Sequence, residues 1–97
     1  MRMMLKAHLD TEAASQRIKD GTLPQVMQHT LEMLHPEAAY FGPEDGIRTA
    51  FFVFDMTDPS QLPAISEPLF SHFKARVEIF PVMNSDDLQR GLSQLPQ

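Results

Sequence analysis

The chain contains neither cysteine nor tryptophan among its 97 residues. Without a thiol it forms no disulfide, no thiolate nucleophile and no cysteine-ligated zinc or iron–sulfur centre. Its four glycines are dispersed, and the sequence has no phosphate-binding loop, serine-hydrolase elbow or helical zinc motif. These absences argue against nucleotide-dependent and serine-hydrolase chemistry, and we expect no cofactor.

Basic residues are scarce and scattered. Eight of them stand against thirteen acids, which gives a formal charge of −5. Binding to nucleic acid or to an anionic membrane requires a basic patch, so neither partner is expected. No apolar run approaches the roughly 20 residues of a membrane helix, and charges at Arg2 and Lys6 interrupt the N-terminal segment. We therefore expect a cytoplasmic protein.

The hydrophobic pattern predicts one domain over residues 1–97. Period-two alternation or continuous apolar character predicts strands at 2–9, 38–41, 48–56 and 75–83. Helical spacing predicts helices with N-caps at Asp10 or Thr11, Thr22, Asp58, and Asn84 or Ser85. The order βαββαβ with an added C-terminal helix is the ferredoxin-like arrangement of the α+β class. We expect its first and third strands to be central and parallel, with helices on one face.

The third predicted strand is apolar on both faces. Phe51 and Val53 point one way, and Ala50, Phe52 and Phe54 point the other. Helices cover only one face, and the other would expose a patch that is large for a monomer. A second copy, related by a two-fold axis, is the simplest cover, so we expect a homodimer.

Two segments carry a resemblance to a known family: Met3-Met4-Leu5-Lys6-Ala7-His8 and Thr49-Ala50-Phe51-Phe52-Val53-Phe54. With the element order, they resemble the dimeric α/β-barrel superfamily, which includes muconolactone isomerases and antibiotic-biosynthesis monooxygenases. The resemblance covers nearly the whole chain but rests on pattern. It implies a homodimer whose sheets form a shared barrel, with a ligand cavity between sheet and helices in each subunit. It transfers no catalytic residue, because no motif matches residue by residue.

His8 is the candidate catalytic residue. It lies on a predicted central strand, on the same face as Lys6, and the neighbouring strand brings Glu78 near it. Cross-strand neighbours lie about 5 Å apart. A histidine beside a carboxylate acts as a general base near neutral pH. The alternative is a structural ion pair or a contact between subunits.

The candidate ligand-binding residues are expected to share this face and to line the barrel or a cavity: Lys6, Tyr40, Arg48, Phe52, Phe54 and Glu78. A five-residue turn at 42–46 would place Tyr40 opposite Arg48, where ring and guanidinium can stack without any ligand.

No metal site is predicted. Asp10, Asp55 and Asp58 are expected near the C-terminal ends of the two central strands. A stable hard-cation site needs six or more oxygens, and helix capping accounts for Asp10 and Asp58.

Three functions stay open at this point. The first is a homodimer that binds a small apolar organic molecule in a sheet–helix cavity. The second is a cofactor-independent monooxygenase or isomerase of small organic substrates, and the third is a non-catalytic dimerisation module. An open cavity that His8 or Tyr40 enters favours binding or catalysis, whereas a filled sheet–helix interface favours the module.

Overall fold

A computed structural model describes residues 1–96 as one antiparallel sheet with helices packed on one face. The strands are β1 (Arg2–His8), β2 (Ala38–Glu44), β3 (Ile47–Asp55) and β4 (Arg76–Pro81), in the spatial order β2-β3-β1-β4. The helices are α1 (Thr11–Lys19), α2 (Thr22–Leu34), α3 (Leu62–Phe73) and α4 (Ser85–Ser93), and a 3-10 turn (Pro59–Gln61) precedes α3. The predicted α+β class and element order are confirmed, and the sheet is compatible with a ferredoxin-like fold.

The central strands β1 and β3 run antiparallel, so the predicted parallel pairing was wrong. The reason is topological. Strand β2 pairs antiparallel with β3, so the connection through α1 and α2 makes β1 parallel to β2 and antiparallel to β3. The C-terminal ends of the two central strands therefore lie at opposite ends of the sheet. Arg2 pairs with Asp55 at one end, and His8 pairs with Thr49 at the other.

The β2–β3 hairpin closes through two residues, not the predicted five. Asp45 and Gly46 have φ values of 54° and 75°, both in the left-handed region. Asp-Gly is a preferred pair for a type I′ hairpin turn, because both central residues need positive φ. The shorter turn changes the register. Tyr40 lies opposite Phe51 instead of Arg48.

The core lies between one face of the sheet and helices α1 to α3. Leu5, Phe52 and Phe73 are completely buried there. The Phe41 ring on β2 meets the Phe52 ring edge-on, with centroids 5.7 Å apart. Burying one such side chain contributes about 1.5–3 kcal/mol, so this face supplies most of the packing energy of the chain.

The helices begin and end at identifiable residues. The Asp10 carboxylate caps α1 by accepting a hydrogen bond from the Ala13 N–H at 3.0 Å. Gly21 joins α1 to α2 with φ 79°, a conformation that glycine adopts without steric cost. Helix α3 extends to Phe73 in spite of Pro68 in its interior. The longest helix, α2, has 13 residues, and none among residues 1–96 is long and apolar enough to cross a bilayer.

Helix α4 contacts the sheet at its first turn and is otherwise exposed. Asn84 and Asp87 form a capping box at its start, and Arg2 reaches Asp87 at 3.0 Å. The hydrogen bond from the Asn84 backbone, followed by the nearby arginines, lowers the pKa of Asp87. No residue of α4 is buried.

The radius of gyration, 15.4 Å, exceeds the roughly 13 Å of a compact 100-residue domain, and the longest dimension is 57 Å.

Candidate functional site

The structure offers two candidate sites, one on each face of the sheet. The face without helices, here called the open face, carries a polar cluster around His8. The helix-covered face carries an apolar cleft at its β2 side.

His8 is the centre of the polar cluster. Its ring is 6% exposed although no helix covers it. The Thr49 hydroxyl lies 3.3 Å from Nδ1, and carboxylate oxygens of Glu44 and Glu78 lie 3.6 and 3.8 Å from Nε2. Lys6 Nζ lies 3.0 Å from the same Glu44 oxygen. The neighbouring side chains therefore bury the ring.

Register explains this assembly. His8 pairs with Thr49 across β3 and Lys6 pairs with Glu78 across β4, so these side chains share one face. Glu44 arrives from the end of β2, next to the hairpin turn. Sequence reasoning missed Glu44 because it placed that residue in a turn.

The cluster is built to balance charge. Within residues 1–96, His8 Nε2 is buried and has no hydrogen-bond partner. Two carboxylates lie just beyond hydrogen-bond distance of that nitrogen, and each has a cationic neighbour, Lys6 for Glu44 and Arg76 for Glu78.

Three of the predicted site residues come together, and the others do not. Lys6, His8 and Glu78 belong to the polar cluster. Tyr40 lies on the same face but is 71% exposed, on the outer strand beside Phe51.

Arg48, Phe52 and Phe54 lie on the opposite face, so their expected grouping with Lys6 was wrong. The β1–β3 register pairs Lys6 with Phe51 and Leu5 with Phe52. Even-numbered residues of β1 therefore share a face with odd-numbered residues of β3. Phe52 and Phe54 are core residues, 0% and 2% exposed.

The predicted proximity of three aspartates does not occur. Asp55 pairs with the N-terminal ammonium at 2.6 Å, at the opposite end of the sheet from Asp10. Asp58 caps the 3-10 turn by accepting a hydrogen bond from Ser60 N–H, which lowers its pKa. Within residues 1–96 no group of acidic or histidine side chains is arranged to hold a metal ion.

The apolar cleft lies between the β2–β3 side of the sheet and helices α1 and α2. Its volume is about 630 Å³. Ten residues line it: Leu9, Ile18, Leu23, Met27, Phe41, Gly42, Pro43, Arg48, Thr49 and Ala50. Leu9 and Met27 are buried at its base, while Ile18 and Phe41 are 48% and 57% exposed. The cleft is thus open to solvent, and it lies at the β2 side of the filled core that contains Leu5, Phe52 and Phe73.

Arg48 is the one charged residue of the lining. Its Nη1 donates long hydrogen bonds to the Thr11 carbonyl at 3.4 Å and to the Ser15 hydroxyl at 3.3 Å. Both partners belong to α1 and are uncharged. Neither His8 nor Tyr40 lines the cleft.

Comparison with known proteins adds no further assignment. No protein-family model matches the chain, and no curated protein matches it at a significant level.

Proposed function

We propose that the protein is a homodimer that binds a small apolar organic molecule in the sheet–helix cleft of each subunit. One observation carries the binding proposal: a cleft of about 630 Å³ whose lining, apart from Arg48, is almost entirely apolar. Ligand pockets typically measure about 300–1,000 Å³ and combine apolar walls with a few polar groups. The partly exposed Ile18 and Phe41 would gain cover from a ligand.

A neutral probe tests the cleft. We expect 1-octanol to shift the amide resonances of cleft-lining residues in a two-dimensional NMR titration, and to leave those of β4 unchanged. Ile18→Gln removes an apolar wall and should weaken binding several-fold, because buried apolar area drives it. Phe70→Gln is the matched control, since Phe70 is a similarly exposed residue, 43%, in the last turn of α3 and outside the cleft. Absence of saturable shifts in the cleft would reject the binding proposal.

The open face supports the homodimer. It presents five large apolar side chains that no helix covers: Met4, Tyr40, Phe51, Val53 and Phe80. Tyr40 and Phe80 are 71% and 39% exposed. Contiguous apolar patches of this kind mark interaction sites in soluble proteins. A two-fold pairing of open faces would be the shared barrel of the dimeric α/β-barrel superfamily.

The solution mass tests this pairing. Light scattering should give about 22 kDa, twice the 11.0 kDa of one chain, for a two-fold assembly. Val53→Lys places a charge in the middle of the open face and should give the single-chain mass. Phe70→Lys, on a helix away from that face, should keep the doubled mass. A wild-type mass of one chain at micromolar concentration contradicts the homodimer.

The positions of the two sites favour binding over catalysis. The isomerase or monooxygenase alternative depends on His8, and His8 lies on the opposite face of the sheet from the cleft. The simple dimerisation module predicts a filled sheet–helix interface, whereas an open cleft is present. The cleft is open but neither His8 nor Tyr40 enters it, so the expected feature of a binding protein is present only in part. Among the three functions, ligand binding is the one we propose.

A further inference from the structure

We propose that the ligand of the cleft is an apolar carboxylic acid, and that Arg48 binds its carboxylate. This inference rests on the proposed function and adds the chemical class of the ligand. The molecule would place its hydrocarbon body against Met27 and Leu23 and its acidic end at the rim formed by β3 and α1.

The position of Arg48 is the first reason for this assignment. Arg48 is the single charged side chain of an otherwise apolar cleft, and it sits where β3 passes the first turns of α1. A guanidinium carries a fixed charge and presents paired donors that match the two oxygens of a carboxylate. Arg48 is exposed, so a carboxylate bound there stays partly hydrated and the ion pair is of moderate strength.

The second reason is that Arg48 has no counter-ion. Arg2, Arg17, Arg76 and Arg90 each lie within salt-bridge distance of an aspartate or glutamate. Within residues 1–96 Arg48 alone among the five arginines lies near no carboxylate, although the chain contains thirteen acids. Only its Nη1 is engaged, by two long hydrogen bonds to neutral oxygens.

The third reason is the hydroxyl beside it. Ser15 Oγ lies 3.3 Å from Arg48 Nη1 and belongs to the helix that borders the cleft. A serine hydroxyl both donates and accepts hydrogen bonds. A carboxylate that bridges Arg48 and Ser15 would receive one charged and one neutral donor. A neutral apolar ligand without such a group would make neither contact.

Two probes with the same hydrocarbon chain test the proposal: octanoate and 1-octanol. We expect octanoate to bind the unmodified protein several-fold more tightly, because an ion pair to an exposed arginine is worth less than a factor of ten. Octanoate, and not 1-octanol, should also shift the Arg48 Nε–H resonance. The shift of this resonance is measured on the unmodified protein, so it does not depend on whether a variant folds.

Arg48→Gln should remove the preference by weakening octanoate binding several-fold while leaving 1-octanol binding unchanged. Lys19→Gln is the matched control. It removes one positive charge from an exposed position on α1 outside the cleft lining and should keep the preference.

The outcomes separate this inference from the proposed function. Equal binding of both probes in the cleft would overturn the carboxylate assignment and leave the cleft as an apolar site. The carboxylate assignment also fails if Lys19→Gln lowers octanoate binding as much as Arg48→Gln does. Failure of both probes to reach the cleft would overturn the proposed function as well.

Discussion

Phe51 and Phe52 are neighbours in β3, yet they point to opposite faces and should respond very differently to truncation. Phe52 is completely buried between the sheet and the helices and contacts the Phe41 ring. Phe51 is half-buried on the open face, with Lys6 Nζ 5.8 Å from the centre of its ring. The pair therefore compares a core position with a proposed dimer contact in the same strand.

The magnitudes follow from burial. Phe52→Ala should lower the free energy of unfolding by about 3–5 kcal/mol, the usual range for a buried phenylalanine. A chain of this length has a total stability of about 5–15 kcal/mol, so the loss is a large fraction of it. Phe51→Ala should cost the isolated subunit only about 1 kcal/mol, because the ring is already partly hydrated and makes fewer contacts. It should instead weaken association.

Urea unfolding monitored by circular dichroism, at two protein concentrations, separates the two effects. A homodimer unfolds at a higher urea concentration when its chain concentration is raised. Phe52→Ala should lower the midpoint at both concentrations, whereas Phe51→Ala should mainly abolish the dependence on concentration. Equal losses for the two variants at low concentration would refute the assignment of the two faces. An unchanged concentration dependence in Phe51→Ala would refute its place in the interface.

Two further predictions concern local structure. The folded-state pKa of Asp87 is lowered from its ordinary 3.8, chiefly by the hydrogen bond from the Asn84 backbone. The carboxylate therefore stabilises α4 fully above pH 3.8, and this stabilisation is lost as the pH falls through the lowered pKa. The amide resonances of α4 should show this loss in an acid titration. The variant Asp87→Asn has no carboxylate to titrate and should not show it. An identical titration in the variant would contradict the capping role. Gly46→Ala should lower the free energy of unfolding by about 1 kcal/mol, because φ is 75° there, while Gly91→Ala, in the interior of α4 with free space around it, should stabilise that helix. Thermal unfolding checks the turn, and a neutral Gly46→Ala would argue against the tight hairpin.

Local signals in the sequence were sufficient for the elements. Capping residues and the 3.6-residue periodicity placed the helices. Asp10 and Asn84 cap helices as predicted, and Asp58 caps the 3-10 turn before α3. The predicted N-cap Thr22 was wrong, because Gly21 occupies that position and Thr22 is already helical. The apolar character of both faces of β3 was also evident, because apolar residues occupy its odd-numbered and its even-numbered positions. These features depend on neighbours in the chain, which a sequence displays directly.

The pairing between strands was harder to predict. A change of one residue in register moves every side chain of a strand to the other face. The sequence contains the decisive signal, Asp45-Gly46, which defines a two-residue turn. Treating that pair as part of a longer turn placed Tyr40 opposite Arg48 and hid the approach of Glu44 to His8.

The cleft could not be predicted from the sequence in detail. It arises because α1 and α2 leave space beside β2, and its lining joins residues from five separate elements or connections, from Leu9 to Ala50. The resemblance to the dimeric α/β-barrel superfamily implied a cavity between sheet and helices. The sequence did not identify Ile18 as one of its walls, since that residue looks like an ordinary member of a helix.

The location of a bound apolar molecule tests the binding proposal most directly, and the methionines provide the probes. Met27 lies at the base of the cleft, whereas Met4 lies on the open face of β1. With methionine methyl groups labelled by ¹³C, nuclear Overhauser contacts to bound 1-octanol should appear at Met27 and not at Met4. Contacts at Met4 alone would place the ligand on the open face and contradict binding in the cleft.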